Sequence, residues 1–72
     1  MNGIWIRTQD RKRLRLCNDI YANKKGKVSC AYDKEDDFIV GRYVSEERAL
    51  EVLEEIQLKL RAGVYFFKMP TD

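Results

Sequence analysis

The clearest pattern along the chain is an apolar stripe at helical spacing, Ala49, Val52, Leu53, Ile56 and Leu60. Ser45 just ahead of it is a good N-cap, because its hydroxyl can accept from an orphan backbone N–H. Glu46 and Glu47 suit the positive end of the helix dipole, and Gly63 suits the C-cap. The spacing predicts one helix over residues 45–62, with Glu55 and Lys59 as an i,i+4 pair on its wet face. Arg48 stands three positions after Ser45, so no capping box is expected. Leu50 and Leu58 fall off the stripe. They either widen the core contact or cover a partner.

Upstream the period shortens to two. Ile4 to Gln9 is rich in strand formers, and Asp10-Arg11-Lys12 reads as a turn. Arg13 to Ala22 alternates well. Leu14, Leu16, Ile20 and Ala22 share a parity that Asn18 interrupts, so a half-buried strand, bulged or broken at Asn18-Asp19, is expected. Asn23 to Gly26 is a turn, Lys27 to Tyr32 a third strand and Phe38 to Val44 a fourth, with Gly41 marking a bulge or close backbone approach. Val64 to Met69 reads as a short terminal strand.

These elements predict an α+β fold: an antiparallel meander of about four strands, one helix across its face, and a terminal strand, in a single domain of 72 residues. The helix stripe is expected on Leu14, Leu16, Ile20, Val28, Cys30 and Phe38 or Ile39. A hairpin with Ile20 opposite Val28 and Leu16 opposite Tyr32 puts Cys17 and Cys30 on opposite faces, so no disulfide is expected.

Composition narrows the functional classes. A chain this short has a thin core, which a second copy would help to cover. No apolar run approaches the length of a membrane span, Met1 to Arg7 holds no signal-peptide core, and two cysteines suit a reducing compartment, so a cytoplasmic location is expected. The sequence has no His, which removes the usual general base and the commonest zinc ligand. It also lacks a Gly-rich phosphate loop and a base for a Cys nucleophile. No enzyme activity, cofactor or metal is expected. The acidic run Asp33, Glu35, Asp36 and Asp37 lacks the central Gly of a calcium loop and reads as a solvated turn.

Charge is unevenly distributed. Residues 1–32 hold eight basic and two acidic side chains, whereas residues 33–72 hold six and ten. Arg7, Arg11, Lys12, Arg13 and Arg15 form the sharpest basic cluster. If Arg7, Arg13 and Arg15 share a face with Trp5 and Tyr21, the mixture suits single-stranded nucleic acid or nucleotide phosphate; the alternative is a solvated sheet face. Apolar excess at Leu50, Leu58, Tyr65 and Phe67 points to a protein interface, with a homo-oligomer as the expected partner.

Trp5-Ile6-Arg7-Thr8-Gln9-Asp10 and the stretch VGRYVSEERALEVLEEI, from Val40 to Ile56, together span about a third of the chain. In that order they resemble a family of small proteins of Gram-positive bacteria, their prophages and phages, to which no activity is assigned. The resemblance implies a mobile-element context, with a host or phage protein as an alternative partner, and a compact meander-plus-helix domain, and it carries over no catalytic residue.

Overall fold

The protein was studied as a computed structural model that describes residues 3–33 and 37–72. Six strands and one helix follow in the order β1 (Ile4–Arg7), β2 (Leu14–Cys17), β3 (Asp19–Ala22), β4 (Lys27–Ala31), β5 (Phe38–Arg42), α1 (Glu46–Arg61) and β6 (Phe66–Lys68). The α+β class, the helix and the short terminal strand are as the sequence predicts. The strands, however, divide between two three-stranded sheets, β2-β1-β6 and β3-β4-β5. The second sheet is an antiparallel meander. In the first, β2 runs antiparallel to β1 and β6 runs parallel to it.

The division begins at Asn18. Its backbone N–H donates to the Ala31 carbonyl, its side-chain amide donates to Asp33, and its side-chain oxygen accepts from the Asp33 N–H. These bonds fix a kink between β2 and β3 where the alternation slips by one residue. A one-residue slip exchanges the two faces. Cys17 therefore points inward from β2 while Ile20 and Ala22 pack against the core from β3. Leu14 and Leu16, expected in the core, lie opposite Arg7 and Trp5 on the outer face, and Leu14 is 49% exposed.

The β3–β4 pairing keeps the expected parity but shifts by two residues: Ile20 faces Cys30 and Ala22 faces Val28. Cys17 and Cys30 are free thiols. The expected placement on opposite faces is overturned, because the kink turns Cys17 into the same core as Cys30. The Cys17 thiol is pushed up, first by its hydrogen bond with Cys30 and then by burial. The core also takes Ile4 and Ile6 from β1, Val40 from β5, Tyr43, Phe67 and Met69, around the helix residues Ala49, Val52 and Ile56.

One local device joins the sheets, and two more tighten the second sheet. Gln9 donates from its amide to the carbonyls of Arg42 and Thr71 and accepts from the Arg42 N–H, tying the β1–β2 turn to β5 and the C-terminal tail. Gly26, at φ +89°, accepts from the Tyr43 N–H at 2.8 Å. At the β4–β5 bulge, where Ser29 pairs with Ile39, Gly41 lies under the Tyr43 ring, so close that an added Cβ would come within 2.8 Å of the phenol oxygen.

Tyr43 is buried, donates its hydroxyl to the Pro70 carbonyl, and burial raises its pKa to about 12 from an ordinary 10.0. The folded state thus favours the neutral phenol. The resulting stability is full below the unfolded value and is lost as pH rises through the folded one. Urea midpoints should hold level to about pH 10 and decline towards pH 12, and Tyr43→Phe should flatten that decline.

The helix begins as expected, with the Arg48 N–H donating to Ser45 Oγ at 3.2 Å. Ser45→Ala should cost about 1 kcal/mol in a denaturant titration. At the other end Gly63 takes φ +79° and the Val64 N–H returns to the Lys59 carbonyl. Glu55 pairs with Arg48 rather than Lys59, at 3.4 Å, and Arg48 also holds Glu51 and the Asp72 carbonyl.

Candidate interaction surface

The basic cluster does not assemble into one site. Trp5 pairs with Leu16 and Ile6 with Arg15, so Arg7 shares the outer face with Leu14 and Leu16 while Arg15 points to the other side. Arg13 and Arg15 instead clasp the Phe38 ring, at 5.0 and 4.4 Å from its centroid. Among the described residues, Arg15 Nε is a buried side-chain nitrogen with no partner. Arg11, at φ +69°, donates to the Met69 carbonyl at 2.7 Å. Lys12 sits exposed on the turn, where Asp10 accepts from its backbone N–H and from the Thr8 hydroxyl. Those bonds, the Thr8 one foremost, hold the Asp10 carboxyl below its usual value. Tyr21 lies in the other sheet from Trp5, and its hydroxyl donates to Asp37. Of the five, Arg7 shares the outer strand face with Trp5, and Arg15 lines a depression next to it.

The interface residues separate in the same way. Tyr65, Leu50 and Leu58 are exposed, Leu58 by 62%. Phe67 is not: it pairs with Ile6 and is 6% exposed, because the parallel β6–β1 register turns the odd member of Phe66-Phe67 inward. Phe66 takes the outward place.

What emerges instead is the outer face of β2-β1-β6. One row runs Leu16–Trp5–Phe66 and the next Leu14–Arg7–Lys68. Trp5 and Phe66 are each 45% exposed. A depression of about 400 Å3 lies beside them, lined by Trp5, Leu14, Arg15, Leu16 and Tyr32. The two charges on the three strands' outer face, Arg7 and Lys68, are both cationic. Sequence reasoning missed this face because the β1–β2 register and the β6 pairing both had to be known. The adjacent Phe66-Phe67 pair did signal that one aromatic would be left outside.

A second, smaller cleft of about 240 Å3 opens between α1 and the start of β3, lined by Ile4, Cys17, Ile20, Leu53, Ile56 and Leu60 together with Asn18 and Gln57. Among the described residues no group of three or more His, Cys, Asp or Glu is placed to hold a metal, and no helix is long and apolar enough to cross a membrane. Lys34, Glu35 and Asp36 of the acidic run lie outside the described residues. No family model, curated protein or solved structure matches the chain.

Proposed function

We propose that this chain is a non-enzymatic interaction protein whose working surface is the outer face of β2-β1-β6, and that a second copy of the chain covers that face. The observation carrying this reading is the exposure of Trp5, Leu14 and Phe66 as neighbours across three strands. Scattered exposed apolar residues are ordinary, but a contiguous patch with aromatic anchors is the form that interface centres take. A second copy is favoured because one chain carries both charge signs in separate zones, cationic on this face and acidic along α1, so each copy offers what the other's face attracts. The absence of His and the buried, protonated Cys17 support a role without catalysis. The family resemblance supports an accessory role in a phage or prophage, and the two free cysteines support a reducing, cytoplasmic location.

Sedimentation velocity over a concentration series tests this reading. The native chain should gain mass as concentration rises, and Trp5→Ser should weaken association by about tenfold or more. A single-chain mass up to near-millimolar concentration would refute it.

A second reading places single-stranded nucleic acid on the same face, favoured by Trp5 and Phe66 standing beside Arg7 and Lys68. It draws little from Arg11, Arg13 and Arg15, which are engaged within the fold. Binding of an oligonucleotide that weakens steeply with salt and disappears in Trp5→Ser would favour it.

A further inference from the structure

We infer that copies of this chain dock head to tail, the Leu50–Leu58 face of α1 in one copy lying across the Trp5–Leu14–Phe66 face of the next. The inference rests on the self-association reading and names the docking mode. Two sheet faces paired about an axis along β1 would set Arg7 and Lys68 near the same cations of the partner, a like-charge contact that opposes that symmetric pairing. The helix offers the opposite character. Glu46 to Arg61 carries five carboxylates against three cations; Glu47 and Glu54 stand exposed beside Leu50, Glu51 is paired with Arg48, and Leu58 lies between Glu54 and Arg61.

Spacing agrees with charge. Leu50 and Leu58 are eight residues apart, a rise of about 12 Å along a helix. Leu14 and Phe66 sit two strands and two residues apart, and inter-strand spacings of about 4.8 Å with a two-residue step of about 6.6 Å give a diagonal of about 12 Å. The two leucines therefore reach both ends of the apolar diagonal, with Trp5 between them. The helix's inner stripe of Ala49, Val52 and Ile56 is already occupied by its own core, so the outer face is free for this contact. Such a contact joins two different surfaces and leaves one of each unused, so it propagates into rings or filaments instead of closing as a two-fold dimer.

The test uses Trp5→Asp, which spoils the sheet face, and Leu58→Ser, which removes the helix's apolar contact without placing a new charge opposite Arg7 and Lys68. Each variant alone should sediment as a single chain at concentrations where the native chain assembles, with association weakened about tenfold or more. Mixed in equal amounts they retain one good interface between them and should form a species of two chains and nothing larger. Both sites are exposed, so native-like circular dichroism is expected; if Trp5→Asp fails to fold, Phe66→Asp replaces it. If Leu58→Ser assembles like the native chain and mixing adds nothing, the head-to-tail mode is overturned while self-association stands. If the native chain never assembles, both fall, and oligonucleotide binding lost in Trp5→Asp would reassign the face to nucleic acid.

Discussion

Gly26→Ala is expected to lower the unfolding temperature by about 10 °C or more. Gly26 sits buried in the β3–β4 turn at φ +89°, where an added Cβ would meet the Tyr43 carbonyl oxygen at 2.4 Å and that of Ser45 at 2.9 Å. A side chain at such a φ costs about 1–2 kcal/mol in backbone strain alone. Relief of the overlap moves the segment that accepts the Tyr43 N–H, which endangers a hydrogen bond worth about 1 kcal/mol. In a domain of this size each 1 kcal/mol shifts the midpoint by about 4–8 °C. Gly63→Ala supplies the comparison. Its φ of +79° is similar, but nothing lies within 4 Å of the added Cβ, so only the strain applies. Thermal melts showing equal losses for the two would mean that close approach at Gly26 plays no part.

Ile6→Ala is expected to remove about 2–5 kcal/mol. Ile6 has no exposed surface and lies on the central strand of its sheet, between Arg15 and Phe67 in register. At about 0.05–0.15 kcal/mol per residue, the whole fold is worth only about 4–10 kcal/mol, so the variant should be partly unfolded at room temperature. Leu14→Ala, measured in dilute solution, should stay within about 0.5 kcal/mol, because that side chain faces outward. Urea titrations in which Leu14→Ala costs as much as Ile6→Ala would place the faces of β2 the other way round.

The contrast between Ile6 and Leu14 shows what was legible in the sequence. Local signals were read directly. The helix and its Ser45 and Gly63 ends, the turn at Gly26, the bulge at Gly41 and the irregularity at Asn18 all depend on residues within a few positions of each other. What the Asn18 irregularity does was not legible. Its consequences for Cys17, Leu14 and Leu16 depend on bonds to Ala31 and Asp33, more than a dozen residues away. The same limit applies to the basic cluster. Arg11 reaches Met69, and Arg13 and Arg15 reach Phe38, so residues adjacent in sequence serve as braces in three dimensions. The outer sheet face was hidden for a related reason, since β6 joins β1 from the far end of the chain.

The most direct measurement is the fluorescence of Trp5, the sole tryptophan, in the native chain as its concentration rises from micromolar to near-millimolar. Covering of the β2-β1-β6 face by a second copy should move the emission to shorter wavelength in step with the mass measured by light scattering, because a half-exposed indole becomes buried. An emission maximum that stays fixed while the mass remains that of one chain, or while the mass grows, would contradict the assignment of this face as the working surface.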